Sequence, residues 1–288
     1  MTGDTITLEE WVGQFRLQRK SRELWKAIRW EFEEQQPPMT VRQMFYRMSA
    51  QGFVPKTEGG YRQVQYALTA MRQQRAIPYD WLADNTRWVR KPRTYSSLSD
   101  MLRESQELYR RALWDEQDAY VEVWLEKDAL AGVIYPVTER WDVPLYVTRG
   151  YPSLSYLYNA AEHLRDIDKP VFIYYFGDYD ASGVDAARVI QEGLRDFGAE
   201  FYFERAAVTR QQIDEFGLQT RPAKRSDPRA PNFGHEAVEL DAMPPDLLRG
   251  LVEHCIHQHI DWASLWRLKR VEEAERESLE AVRSQFSF

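Results

Sequence analysis

Apolar residues recur at helical spacing through the first third of the chain, then give way to short unbroken runs. Over 8–35, Trp11, Phe15, Leu24, Ala27, Ile28 and Phe32 predict one long helix that stops before Pro37 and Pro38 and serves as a packing or dimerisation arm. Thr40, with Gln43 three residues on as in a capping box, opens a second helix that ends near Gly52. A third spans about 59–76, ahead of Pro78, and the segment YDWLADNTRWVRKPR that follows has strand and turn residues without helical period. Two short helices and a small ribbon outline a winged-helix or helix-turn-helix module.

A charged helix over about 97–118 connects this module to four strand-like runs, VEVWLEK (121–127), VPLYVTRG (143–150), PVFIYYFGD (170–178) and AEFYFERAAV (199–208). Helical stretches between the first three, and again at 183–197, give the order βαβαβαβ and a mostly parallel sheet. Such sheets place their sites at the carboxyl ends of strands. Residues 219–235 hold three prolines and four basic residues and read as a loop, either a surface linker or a phosphate contact. Two helices, 246–260 and 262–286, close the chain. The division expected is an N-terminal arm (1–39), a winged-helix domain with its connector (40–115) and an α/β domain (116–288).

Composition changes this picture in one respect. The net charge of −7 argues weakly against nucleic acid, but residues 1–115 carry 19 Lys+Arg against 14 Asp+Glu. Within 40–95 the balance is 10 basic to 3 acidic, with Tyr46, Tyr61, Tyr66, Tyr79, Trp81, Trp88 and Tyr95 interleaved, a composition suited to phosphates and bases as well as to a merely soluble face. Candidates for DNA contact are Lys56, Arg62, Arg87, Lys91 and Arg93 here, with Lys127 and Lys224 farther on. The single cysteine, Cys255, leaves no disulfide to form within the chain, no run approaches the roughly 18 apolar residues of a membrane span, and the first residues lack a secretory pattern. A cytoplasmic, nucleoid-associated protein is expected.

The sharpest chemistry lies in Gly177-Asp178-Tyr179-Asp180-Ala181-Ser182-Gly183, directly after an apolar run. Side chains two apart in an extended segment point the same way, so Asp178 and Asp180 can share a hard cation. Glu126 ends an earlier strand, and three carboxylates at adjacent strand ends call for Mg²⁺, with Mn²⁺ as a substitute. On the helix VRQMFYRM, Val41, Met44, Phe45 and Met48 form one apolar stripe, while Arg42 and Tyr46 lie together on the other side and are expected on the open face. A phenol titrates near pH 10, so as a nucleophile it needs a nearby cation or base. In HCIHQH, His254 and His257 align but Cys255 falls with apolar residues, and packing is the expectation.

VRQMFYR in such a module resembles the catalytic-tyrosine segment of the A subunit of type IIB DNA topoisomerases (topoisomerase VI) and its meiotic double-strand-break relative. WLEKDAL and FGDYDASG resemble the two metal-binding motifs of the Toprim domain that follows in that family. The likeness spans residues 40 to about 208. It implies a winged-helix (CAP-like) domain followed by a Toprim domain, and DNA cleavage in which Tyr46 attacks a phosphodiester and becomes linked to the 5′ phosphate. It also implies Arg42 assisting at that phosphate, Mg²⁺ on Glu126, Asp178 and Asp180, and a homodimer in which the tyrosine of one protomer meets the metal site of the other. The chain is shorter than the usual A subunit and resembles the compact free-standing A-subunit-like proteins of mobile genetic elements. Nothing in it resembles the ATPase of the B subunit, so either a separate partner supplies strand passage or there is none. ELDAMPP (239–245) resembles a further feature of these relatives, and Glu239 or Asp241 either joins the acidic site or caps the next helix. Alternatives are a Toprim nuclease that uses water as nucleophile and a DNA-binding or assembly protein that does not cleave.

Overall fold

The computed structural model describes residues 7–83, 92–222, 233 and 236–284. Among these the chain is a mixed α/β fold built on a four-stranded parallel sheet flanked by helices. The strands are β1 (Tyr120–Leu125), β2 (Leu145–Val147), β3 (Val171–Phe176) and β4 (Tyr202–Ala207), in the order β2-β1-β3-β4. The runs of β1 and β3 are almost continuously apolar because both faces are covered, whereas β4 is exposed at Tyr202 and Glu204. On one face Val121, Val123 and Leu125 pack with α6 (Ala131–Arg140) and α10 (Pro245–His257); on the other Trp124, Ile173 and Tyr175 pack with α7 (Leu154–Arg165) and α8 (Ala181–Asp196). Leaving β1 the chain crosses to β2 on one side, then returns past β1 to β3 on the other. The crevice that this reversal opens lies at the carboxyl ends of β1 and β3.

The N-terminal helices α1 (Leu8–Gly13), α2 (Arg19–Gln35), α3 (Val41–Ala50) and α4 (Glu58–Gln73) form their own core around Ile28, Phe32, Met44, Met48 and Leu68. Thr40 caps α3 in a capping box with Gln43, as its sequence predicts. The single helix expected over 8–35 is two. Trp11 and Phe15 fold back on Trp25, with ring centroids 5.3–6.5 Å apart, and this aromatic cluster outweighs helix propensity at Gln14–Gln18. The connector helix is shorter than expected. It ends as α5 (Leu98–Leu108), because Glu272 and Arg276 of α11 (Trp262–Ser284) bind the backbone of Arg111 and Tyr109 instead. Most of the expected ribbon, residues 84–91, lies outside the described residues, as does most of the 219–235 loop, whose ends pair as β5 (Arg221–Pro222) and β6 (Glu236–Ala237). Cys255 is buried, His257 packs between Trp141 and Trp262, and His259 bonds Tyr174. No helix among the described residues is long and apolar enough to cross a membrane.

Candidate active site at the carboxyl ends of the strands

Strand register sets the site. Leu125 lies opposite Phe176, so the next residues, Glu126 and Gly177, leave the sheet side by side. The Asp178 amide donates to Glu126 Oε2 at 2.9 Å, and a Cβ on Gly177 would sit 2.5 Å from that same oxygen. Glycine is therefore required for Glu126 to fold over the turn. Arg205 of β4 locks the turn from behind, donating to the carbonyls of Gly177, Asp178 and Gly183.

Val238 bridges Tyr179 and carries Glu239 and Asp241 into the same place. Asp178 Oδ1 accepts from the Leu240 amide at 2.8 Å and lies 3.0 Å from Lys127 Nζ, which also reaches Asp241 Oδ2 at 2.6 Å and Glu239 Oε2 at 3.4 Å. Of the two roles open to ELDAMPP, joining the acidic site is the one observed; no side chain caps α10. Lys127, expected to meet phosphate, is instead the internal counter-ion of three carboxylates. Burial works against its charge, but Asp241, Asp178 and Glu239 outweigh that and hold the ammonium above the ordinary lysine range. Burial raises Asp178, and burial with the nearby Asp178 charge raises Glu126. Glu239 goes the other way: burial opposes its charge, yet Lys127, Arg42 and Arg221 bring it down to about 2.

Helix α3 forms the facing wall, and Arg42 Nη1 bonds Glu239 Oε2 at 2.7 Å. Tyr46 is not on an open face as expected. It is 7% exposed, packed beside Phe45, with the Lys56 ammonium 5.4 Å from its ring centre. The 239–242 segment covers the side of α3 that the apolar stripe leaves open. Burial and then the Glu239 charge push the phenol up to about 12. Between the two walls runs a cleft of about 940 Å³, lined by Arg42, Tyr61, Gln65, Thr69 and Arg72 on one side and Glu126, Lys127, Asp178, Asp180, Arg149 and Arg221 on the other.

Asp180 departs from the expected pairing with Asp178. Its Oδ1 caps α8 through the Gly183 amide at 2.8 Å, and its Oδ2 lies 3.4 Å from Arg221. Lys56 donates to the Thr220 carbonyl at 2.8 Å. Arg62 turns outward to Glu58, and Arg93 pairs with Glu104. Arg87, Lys91 and Lys224 lie outside the described residues. Three cleft cations escaped sequence reasoning: Arg72, Arg149 and Arg221. Arg149 had a signal, since it follows a strand at its carboxyl end, where it adopts φ 54°.

The donor set is all carboxylate oxygen, the chemistry of a hard divalent cation. One buried atom points the same way: Asp241, 2% exposed, has an Oδ1 without a hydrogen-bond partner. Among the described residues no three His, Cys, Asp or Glu side chains converge as a ready ligand set, because Lys127 and Arg221 stand between the carboxylates. Glu126, Asp178 and Asp180 fit a metal in kind, with Asp241 beside them.

No family model and no curated protein matches the chain. Among solved structures, an aromatic amino acid aminotransferase with 3-indolebutyric acid is similar over 66% of this chain, at 14% identity and a TM-score of 0.20. This chain spans 55% of that structure's length, and a likeness this low carries no argument.

Proposed function

We propose that this chain is a Mg²⁺-dependent DNA-cleaving transesterase similar to the A subunit of type IIB topoisomerases. What supports the reading is convergence: four segments far apart in sequence, around 42, 126, 178 and 239, meet at one cleft, joined by Arg42 to Glu239 and by Lys127 to Asp178 and Asp241. Bound by Glu126, Asp178 and Asp180, Mg²⁺ would neutralise charge on the reacting phosphodiester. The guanidinium of Arg42 is the group on the tyrosine helix able to exchange a carboxylate for a phosphate, both of which it binds through paired N–H donors. Tyr46 Oη would bond to phosphorus and give up its proton, while the 3′ oxygen leaves and takes one up. The chain would stay attached to the 5′ end. Cations drawn toward the phenol as DNA displaces Glu239 from Arg42 would ease that proton's loss.

One observation favours a second reading, hydrolysis by metal-activated water. The Tyr46 phenol is buried and pushed up to about 12, a poor nucleophile as it stands. Supercoiled plasmid incubated with Mg²⁺ or Mn²⁺, stopped with detergent and compared before and after protease separates the two. Protein-linked 5′ ends that vanish in Tyr46→Phe are expected; free ends that persist in Tyr46→Phe would replace transesterification with hydrolysis. Cleavage unchanged in Asp178→Ala would remove the metal assignment from both.

A further inference from the structure

Among the described residues the sheet side of the cleft carries the cations Lys127, Arg149 and Arg221, and they are held to different degrees. Lys127 and Arg221 sit among carboxylates, with side chains 21% and 26% exposed. The Arg149 side chain is 71% exposed, and among the described residues its charged partner is Asp128, Nη2 to Oδ2 at 3.0 Å. Both members of that pair line the cleft. An ion pair so open to solvent contributes little, and a phosphate can take the guanidinium from Asp128 at small cost.

The backbone puts Arg149 there. β2 pairs with β1 through Val147 and Leu125, and the Thr148 amide then donates to the Leu125 carbonyl at 2.9 Å. Arg149 therefore leaves the sheet level with Glu126, as Gly177 does on the other side of β1. At that point the chain takes φ 54° at Arg149 and φ 86° at Gly150. The left-handed region suits the glycine but disfavours a side chain at the position before it. What stands there is an arginine, whose planar fork of N–H donors matches a phosphate.

Sheet order sets a row across the strand ends: Arg149 after β2, Glu126 after β1, Asp178 after β3. Neighbouring strands lie about 5 Å apart. An anion on Arg149 is thus beside the carboxylates that would hold Mg²⁺, not among them. A ligand with charges at short, regular steps along a line fits such a row, and a nucleic-acid strand is that ligand.

We propose that Arg149 binds the DNA phosphate next to the one that reacts, and that Asp128 parks its guanidinium until DNA arrives. The assignment rests on the transesterase reading for the identity of the phosphate chain. It supplies the sheet wall with a phosphate contact that none of its inner cations offers, since those are committed to carboxylates.

Arg149→Gly removes the guanidinium and suits the left-handed backbone, so the turn survives the change. Binding of a short duplex by the full chain, followed by fluorescence anisotropy in EDTA across a salt series, should weaken about tenfold, the scale of one charge-assisted contact. The slope of log affinity against log salt should fall by about one unit. Asp128→Asn should tighten binding about threefold, because an exposed pair no longer competes. In the Arg149→Gly background the same change should have no effect, since Asp128 acts through Arg149. An unchanged slope in Arg149→Gly would overturn the phosphate contact. A gain from Asp128→Asn that is equal with and without Arg149 would overturn the parking and leave Asp128 as a bare charge.

A second arm reads which phosphate is held. With Mg²⁺ and saturating DNA, Arg149→Gly should cleave at nearly the wild-type rate, as expected when the lost binding is shared by ground and transition states. Loss of that rate would put Arg149 on the reacting phosphate and overturn its place in the row. If the wild type binds DNA but does not cleave it, the transesterase reading fails while the salt series still decides Arg149; if the wild type binds no DNA, both fail.

Discussion

The two walls of the cleft handle charge in opposite ways. On the sheet side, carboxylates that repel one another are buried around internal cations: Lys127 touches Asp178, Glu239 and Asp241, and Arg221 touches Asp180 and Glu239. On the helical side, Gln65, Thr69 and Arg72 are spaced three and four residues apart along α4 and face the open cleft. The acidic wall is a network of ion pairs within its own chain that leaves Asp241 Oδ1 unpartnered; the helical wall is polar surface with capacity to spare. A ligand must therefore compete for the first wall and can simply add to the second. That difference gives the two walls different responses to mutation, metal and salt.

The largest effect should come from breaking that network of ion pairs. Lys127→Ala leaves three buried carboxylates without their shared cation and should destabilise the fold by about 3 kcal/mol, the scale of an uncompensated buried charge. A divalent cation can take over part of that role. Mg²⁺ should raise the melting temperature of Lys127→Ala by more than it raises that of the wild type, measured by calorimetry with and without EDTA. An equal rise in both would mean that the metal does not enter between these carboxylates.

A slightly smaller effect lies on the far face of the sheet, where a carboxylate is buried without any cation. Glu122 is fully buried, accepts from Trp124 Nε1 at 2.8 Å, and burial pushes it up to about 7. The folded chain thus holds a proton that the unfolded chain has released above pH 4.5. Between those values the native state binds more protons, so stability falls as pH rises, and the loss is complete above pH 7. The shift corresponds to about 3 kcal/mol as an upper bound. Glu122→Gln should stabilise the protein at pH 8 and do much less at pH 5. Equal effects at both pH values would mean that the carboxyl does not titrate there. Against the acidic wall the contrast is direct, since Lys127 pairs with three carboxylates while Glu122 is met by the Trp124 indole N–H rather than by an ammonium.

What could be read from the sequence follows the same division. Four strand-like runs with helical stretches between them announced the parallel sheet, and the strand-end rule led to Glu126 and Asp178. Tyr46 was misread because a helical wheel knows one apolar stripe, whereas α3 packs on two sides, the second supplied by residues 239–242 nearly two hundred positions later. Asp180 was read as a partner of Asp178 from strand alternation, but the chain has already turned into α8 there and uses it as the cap. Lys127 was read as a phosphate-contacting cation beside a carboxylate. Only the long-range approach of Asp241, which no local pattern encodes, makes it an internal one. Local rules worked where a residue's partners lie in its own element and failed where a distant segment closes over it.

The smallest effect should come from the helical wall. Arg72 lines the cleft, while Arg62 sits on the same helix but turns outward to Glu58 at 3.4 Å. If a DNA strand passes through the cleft, each neutralised phosphate adds about 0.9 to the slope of log affinity against log salt. Arg72→Ala should therefore weaken binding of a short duplex, measured in EDTA so that cleavage is silent, and lower that slope by about one unit. Arg62→Ala should leave the slope nearly unchanged, because an exposed guanidinium outside the cleft meets no ordered phosphate. Equal changes in both variants would mean that DNA spreads over the whole basic face rather than entering between the walls. Loss of affinity in Arg72→Ala without a change of slope would assign Arg72 to packing against Tyr79, 5.7 Å from its guanidinium, and leave the helical wall without a phosphate contact at that position.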